Sequence, residues 1–334
     1  ELLNYTEAIL RVYNRYGRRD NKYKARIKIL VRERTPEAFT AEVEAEWQSL
    51  VDGPGTLTRE IVEGIAARFT APPYRPQPTH DAELQTFLDA DTAFARWHGR
   101  NVHAHKMPGY AAVTLSLKRA GVPPGDVTDA QLDAIADFAE RYSFGELRVT
   151  HEQNVVLPDV EKRALFALWR EAKTLGFATP NIGLITNIIA CPGGDFCSLA
   201  NAVSIPVALA IDERFQDLDF IHDIGELDLN ISGCMNSCGH HHIGHIGILG
   251  VDKNGEEWYQ ISIGGAQGND AALGKVIGPS FHADDIPEVI EQILAVYLRE
   301  RDVDERFIEV VRRLGIEPFK SSVYAKEWGA TRAA

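Results

Sequence analysis

All four cysteines of the chain lie in two short motifs, CPGGDFC at residues 191–197 and CMNSC at residues 234–238. Five residues separate the cysteines of the first motif, and three separate those of the second. Chance would rarely group every cysteine in this way. The grouping therefore indicates one chemical site to which both motifs contribute thiolates.

Disulfide, zinc and iron–sulfur chemistry are the three candidates for these cysteines. A disulfide is poorly favoured, because an intracellular chain with a good core does not need one and its compartment would reduce it. Structural zinc usually binds cysteine pairs with about two to four residues between them, which fits the second motif and not the first. A cluster accepts more varied spacing, since its four thiolates reach different corners of a cubane. The spacing thus favours a cluster and leaves zinc as the alternative.

The motifs also contain or adjoin four glycines, which suit backbone that bends tightly and points N–H groups at sulfide. These glycines are Gly193, Gly194, Gly233 and Gly239.

The two motifs, in this order, resemble those of the sirohaem-containing sulfite and nitrite reductases. In that family the second motif is close to GCPNGC followed by a strand that ends in glycine, and here it stands in SGCMNSCGHHHIGHIGILG. The segments ELRVTHEQNVVL, GDVTDAQLDAIADFAERY and GRRDNKYKARIKILVRERTPEAFTAEVE are also similar to family segments. The resemblance covers nearly the whole chain.

The resemblance implies a domain organisation, because family members contain two related repeats, each a ferredoxin-like half-domain followed by a larger α/β domain. This chain is similar to the tail of the first repeat and all of the second, so we expect a fragment of a longer protein. The implied parts are the tail at 1–70, a proline-rich linker at 71–80, the half-domain at 81–180 and the cluster and sirohaem domain at 181–334.

The resemblance also implies two cofactors, a [4Fe-4S] cluster and sirohaem. Cys238 would hold the cluster and bind the sirohaem iron as well, and Asn236 would lie at the contact between the two cofactors. The implied cluster ligands are Cys191, Cys197, Cys234 and Cys238.

Two cations in the motif ARIK match the family's anion-binding residues and are the implied catalytic residues, Arg26 and Lys28. Arg26 would hold the charge of a small oxyanion, while Lys28 would pass protons to it. The surrounding pattern predicts a helix, on which residues two apart point in different directions. Arg26 and Lys28 can therefore face one anion only if this segment is extended or lies at the end of a helix.

Sirohaem carries many carboxylates, so its pocket should be rich in cationic and amide groups. The candidates for these cofactor contacts are Arg148, Gln153, Asn154 and Lys275. The histidines after Cys238 fall in a pattern that we interpret as a strand, with His240 and His242 on one face and packing or hydrogen-bonding roles near the haem.

The elements that must position these residues predict an α+β fold. We expect a strand at 111–117, a helix from Thr128 to Tyr142, strands near Leu147 and Val155, and a helix from Val160 to Leu175. Thr128 and Gln131 form a capping-box pattern. This order is typical of a ferredoxin-like half-domain, and it is followed by glycine-punctuated strands of an α/β domain.

The flanking regions give further expectations. Residues 6–70 should be mostly helical, with helix starts at Thr6, at Thr35 and at Thr56 or Thr58. Residues 252–255 predict a hairpin. Two helices, at about 286–299 and 305–314, should close the chain.

Composition limits the function classes. The net charge of −13 disfavours nucleic acid as a partner, because duplex binding relies on Lys and Arg. The sequence contains no apolar run long enough for a membrane span and no signal-peptide pattern at its start, so we expect a cytoplasmic protein without a membrane partner.

The implied function is the six-electron reduction of sulfite to sulfide by an assimilatory sulfite reductase hemoprotein. Nitrite reduction to ammonia with the same cofactors is the alternative, and a non-catalytic iron–sulfur or zinc module is a more distant one. The sequence contains no flavin or nicotinamide fingerprint, so electrons would come from ferredoxin or a flavoprotein subunit.

Overall fold

The computed structural model describes residues 1–21, 23–76, 78 and 81–325. The chain divides into two compact units, Glu1–Tyr74 and Arg75–Ala334. Within the described residues, no helix is both long and apolar enough to cross a membrane.

The first unit is helical and packs around a small apolar core, in which Val12, Leu30 and Val43 are buried. Thr35 caps the third helix by accepting the N–H of Ala38, as its sequence predicts. The first helix begins at Leu2, so the expected start at Thr6 is wrong; that hydroxyl instead donates to the Leu2 carbonyl one turn back. The helices are α1 (Leu2–Tyr16), α2 (Ile27–Arg34), α3 (Pro36–Gln48) and α4 (Arg59–Ala66).

The second unit begins with the ferredoxin-like half-domain, a four-stranded antiparallel sheet in the order β1-β2-β4-β3. Both hydrogen bonds of the Thr128–Gln131 capping box are present. The expected helix start at Val160 is wrong, because Val160 pairs with Ala111 in the sheet. The elements are α5 (Ala82–Ala90), α6 (Thr92–Asn101), β1 (Val102–Ala104), β2 (Tyr110–Leu115), α7 (Asp129–Tyr142), β3 (Arg148–Val149), β4 (Val155–Glu161) and α8 (Leu165–Thr174).

The rest of the second unit is a five-stranded mixed sheet in the order β5-β6-β7-β8-β9, covered by helices. Its first three strands run parallel and its last three antiparallel. The expected hairpin is confirmed, since Asn254 and Gly255 both adopt the positive φ of a two-residue turn. The elements are β5 (Ile189–Ala190), α9 (Ile205–Arg214), α10 (Leu218–Ile224), β6 (Leu229–Ser232), β7 (Ile246–Lys253), β8 (Glu256–Ile263), β9 (Lys275–Val276), α11 (Ile286–Glu300), α12 (Phe307–Leu314) and α13 (Glu317–Ala325).

Together the two sheets confirm the α+β class and the ferredoxin-like half-domain. Three helices rather than two end the described part of the chain, because α13 follows α12 and buries Phe319 and Val323 in the core.

Candidate metal centre

Both cysteine motifs begin at the same edge of the five-stranded sheet. β5 ends at Ala190, directly before Cys191, and β6 ends at Ser232, two residues before Cys234. The two strands pair in parallel, with Ala190 beside Ile231. The carboxyl ends of parallel neighbours meet at one sheet edge, where α/β proteins commonly bind ligands.

Hydrogen bonds hold the first cysteine loop, residues 191–197, against β6 and against the second cysteine loop, residues 233–239. The N–H of Cys191 donates to the Ile231 carbonyl at 3.1 Å. The N–H of Gly233 donates to Cys191 Sγ at 3.1 Å, so the sulfur in one loop accepts a hydrogen bond from the backbone of the other loop. Amide donors of this kind stabilise thiolates that bind iron.

Two glycines allow this close approach. A Cβ on Gly233 would lie 2.8 Å from the Cα of Gly193, and a Cβ on Gly239 would lie 1.8 Å from the Ile231 carbonyl oxygen. No side chain fits at either position without a backbone shift. The glycines of the motifs are therefore required by the contact between the loops.

The four thiols differ in exposure. Cys234 is buried, Cys191 and Cys197 are half-buried, and Cys238 is exposed. All four are among the described residues, and none of them forms a disulfide.

The arrangement fits a cluster better than a single zinc ion. Within the described part of the chain, no three His, Cys, Asp or Glu side chains lie close enough together to hold one metal ion. Zinc needs its ligands around one point, whereas a cubane takes a thiolate at each of four separate corners. The two loops are in contact and carry four thiols, one of which accepts a hydrogen bond from a backbone amide. These thiols are suitable donors for a [4Fe-4S] cluster.

Three of the predicted cofactor-contact residues lie at the surface. Asn236 is exposed in the second cysteine loop. Arg148 is exposed on β3, where its guanidinium pairs with Glu146 at 2.6 Å. Lys275 is exposed on β9, opposite Ile263.

The other two, Gln153 and Asn154, lie in the loop between β3 and β4 and bind protein groups. Asn154 is fully buried; its Oδ1 accepts the Leu117 N–H at 3.0 Å, and its Nδ2 donates to Asn187 at 2.9 Å. The Nε2 of Gln153 donates to the Ala190 carbonyl at 2.7 Å. This loop therefore connects the half-domain to the start of the first cysteine loop.

Lys118 is a residue that the sequence did not single out. It is only 4% exposed, and its Nζ donates to Gln153 Oε1 at 3.2 Å. Burial lowers the pKa of Lys118 to about 7, an effect that the nearby Glu152 carboxylate opposes. A lysine three residues after a strand gives no sequence signal of burial, because its burial depends on contacts far along the chain.

Lys118 also borders a cavity of about 320 Å³ between the half-domain and α9. Asn181, Thr186 and Asp212 line it as well, and burial raises the pKa of the Asp212 carboxyl. None of the cysteines lines this cavity. It is therefore separate from the cysteine loops.

The strand expected at the histidines is wrong. His240 adopts a left-handed conformation, and its N–H donates to the Ser237 carbonyl and closes the second cysteine loop. A single 3₁₀ turn, His241–Ile243, follows, and β7 begins only at Ile246. Burial lowers the pKa of His241 to about 4, so this ring is neutral near pH 7 and pairs with the Ser237 hydroxyl at 3.2 Å.

The two predicted catalytic cations belong to the first unit. Arg26 is the exposed residue that precedes α2 and has extended φ and ψ of −135° and 140°, and Lys28 is exposed in the first turn of the helix. The start of a helix is one of the two placements in which both side chains can face one anion. Lys22 lies outside the described residues.

Comparison with known proteins gives consistent matches. The family described as the nitrite and sulphite reductase 4Fe-4S domain matches residues 1–50 and 183–331. The nitrite/sulfite reductase ferredoxin-like half domain matches residues 114–175, which include most of the four-stranded sheet.

The relatives differ in the activity that they are named for, which is nitrite reduction in some and sulfite reduction in others. The chain is 28% identical over 317 residues to a chloroplastic ferredoxin–nitrite reductase of Oryza sativa subsp. japonica, an alignment that covers 91% of this chain and 47% of that protein. It is 26% identical over 318 residues to a sulfite reductase [ferredoxin] of Mycobacterium tuberculosis, with 92% and 50% covered. The chain thus spans about half the length of these relatives.

A solved structure of the Mycobacterium tuberculosis NirA protein has the same fold, with a TM-score of 0.63 at 24% identity. The match covers 96% of this chain and 53% of that one.

Proposed function

The chain belongs to the nitrite and sulphite reductase family, and we propose that it forms the cluster-bearing part of an enzyme that reduces sulfite to sulfide. The observation that carries the proposal is the pair of touching cysteine loops at one edge of a parallel strand pair. Nitrite reduction to ammonia is the second candidate, because relatives at similar identity carry that name.

We propose Cys191, Cys197, Cys234 and Cys238 as the cluster ligands. When bound, the cluster and sirohaem would supply an electron store beside an iron that binds the anion. Cys238 is the candidate to contact both groups, because it is the most exposed of the four thiols and lies on the solvent side of the loops.

The two loops would contribute hydrogen bonds to the bound cluster. The Gly233 N–H donates to Cys191 Sγ and would keep donating to that sulfur when it binds iron. Cys197 is held by its own N–H, which donates to the Gly193 carbonyl at 2.9 Å. The sulfur of Cys191 and the backbone of Cys197 are therefore held in place before iron binds.

Arg26 and Lys28 are the proposed catalytic residues. The family match at residues 1–50 includes both, which supports carrying over the anion-binding role. A guanidinium holds a negatively charged oxygen without losing its proton, and an ammonium can deliver a proton to an oxygen that leaves as water.

Four further residues are proposed as sirohaem contacts, and a fifth, Asn154, is fully buried and is proposed to support the loop that carries one of them. Asn236, Arg148 and Lys275 are exposed and have polar side chains that can reach a carboxylate. Gln153 has one N–H of its amide left after its protein contacts, and Asn154 supports the same loop.

Ferredoxin is the proposed electron donor, because the named relatives are ferredoxin enzymes. A flavoprotein subunit is the alternative donor. We propose a cytoplasmic location, where thiols stay reduced and available to iron.

The test is spectroscopic and kinetic. Sirohaem gives intense Soret and red absorption bands, a bare cluster gives a broad shoulder, and zinc gives no band. Turnover of the purified protein with a reduced dye, measured separately with sulfite and nitrite, would identify the substrate. A colourless protein after reconstitution with iron, sulfide and sirohaem would refute the proposal, and faster turnover of nitrite would favour the second candidate.

A further inference from the structure

The loop between β3 and β4 contacts the last residue of β5, directly before the first cysteine loop. Gln153 has a positive φ of 57°, and its side-chain amide binds both backbone groups of Ala190. The Oε1 accepts the Ala190 N–H at 3.1 Å, and the Nε2 donates to the Ala190 carbonyl at 2.7 Å. The next residue along the chain is Cys191.

This pairing supplies hydrogen-bond partners to backbone groups at the edge of the sheet. β5 is an outer strand of the five-stranded sheet, with β6 on one side only. Neighbouring residues of a strand point their backbone groups in opposite directions, and the Cys191 N–H points to Ile231 of β6. The groups of Ala190 therefore point away from the sheet and, being buried, need other partners. The amide of Gln153 supplies them in the way that a further strand would.

Lys118 fixes the orientation of that amide. An amide oxygen accepts two hydrogen bonds, and here the Ala190 N–H and the Lys118 ammonium use both. A flipped amide would place its NH₂ against the ammonium and against the Ala190 N–H, so three donors would face one another. The buried lysine and the Ala190 backbone thus favour the same orientation, the one that binds Ala190 at both groups.

We propose that Gln153, oriented by Lys118, is a positioning residue for Cys191: it acts as a substitute strand through which the half-domain fixes the first cluster ligand. The inference rests on the proposed cluster, since the role of Cys191 as a ligand belongs to that proposal. The contact itself exists in the protein without iron.

The first experiment measures the contact without any cofactor. Hydrogen exchange of peptides that cover residues 186–197 is followed by mass spectrometry in the full chain purified without iron. Gln153→Leu removes the acceptor, so we expect the Ala190 amide to exchange about threefold to tenfold faster. Gln153→Glu keeps an acceptor for Ala190 and Lys118 but loses the donor to the Ala190 carbonyl, so its exchange rate should lie between those of wild type and Gln153→Leu. Unchanged exchange in Gln153→Leu would overturn the inference.

The second experiment follows cluster loss to an iron chelator after reconstitution. We expect Gln153→Leu to lose iron several-fold faster than wild type, and Lys118→Met to lose it faster by a smaller factor. Gln85→Leu and Lys173→Met are matched controls, because both residues are exposed on helices of the same half-domain. Neither control should change the rate.

A double variant separates positioning from general stability. Gln153→Leu leaves the Lys118 ammonium buried without that partner, which by itself lowers stability. Adding Lys118→Met removes the charge, so thermal stability should recover while rapid iron loss persists. Recovery of both properties together would show a structural role only and would overturn the inference.

The outcomes also distinguish the two proposals. A wild-type chain that takes up no cluster would refute the proposed function while the hydrogen-exchange result stands. A wild-type cluster bound by the four cysteines and held equally well by Gln153→Leu would refute only the positioning role.

Discussion

Gly239→Ala tests the contact between the two cysteine loops. The added Cβ would lie 1.8 Å from the carbonyl oxygen of Ile231 and 3.2 Å from the backbone nitrogen of Cys191. Those two atoms form the hydrogen bond that holds the first cysteine loop against β6. Because both obstacles are backbone atoms, no rotamer change relieves the clash, and the loops must separate.

The expected cost adds two contributions. Overpacking of a tight site costs about 1–3 kcal/mol. Loss of the hydrogen bond between Cys191 and Ile231 adds about 0.5–1.5 kcal/mol. The free energy of unfolding should therefore fall by about 1.5–4.5 kcal/mol, which lowers the urea midpoint by about 0.5–1.5 M at a slope of about 3 kcal/mol per M.

Urea unfolding of the chain, followed by circular dichroism, measures this change. The matched control is Gly99→Ala in the same unit, where nothing lies within 4 Å of the added Cβ and the residue is inside a helix. That substitution should stabilise by about 0.5–1 kcal/mol. If Gly239→Ala unfolded at the wild-type midpoint, the described approach of the two loops would be wrong.

Three further predictions concern the site. Cys238→Ser should abolish the magnetic coupling between cluster and haem in electron paramagnetic resonance, and a variant that kept normal six-electron turnover would contradict the bridging role. Arg26→Ala and Lys28→Ala should each raise the KM for the anion about tenfold or more and leave cofactor content unchanged; loss of cofactor would instead indicate a scaffold role. The lowered pKa of His241, about 4, means that the unfolded chain binds a proton that the folded chain does not, so stability should fall as pH drops from about 6.5 towards 4. His241→Asn should weaken that dependence in urea titrations at several pH values, and an identical pH profile would show that this ring does not contribute.

Local signals explain which elements the sequence predicted. Thr128 and Gln131 each accept a backbone N–H of the other within one helical turn, which forms the capping box. Asn254 and Gly255 both adopt the positive φ that a two-residue turn requires. Such features depend on a few neighbouring residues and are visible without the fold. Val160 shows the limit, because it could begin a helix but its pairing with Ala111 places it in a strand.

The candidate site was only partly visible for the same reason. The cysteines and glycines form a compact sequence pattern, and the structure brings their two loops into contact. Gln153 was named as a cofactor contact, whereas its observed bonds to Ala190 depend on two segments far apart in the chain. Lys118 was missed entirely, since its burial comes from long-range packing.

Quantification of metal and sulfide in the reconstituted chain tests the central claim most directly. The account predicts about four iron and four sulfide per chain, with the cubane lost when any one of the four cysteines is replaced by serine. One zinc per chain with no iron or sulfide, or an intact cluster in all four serine variants, would contradict it.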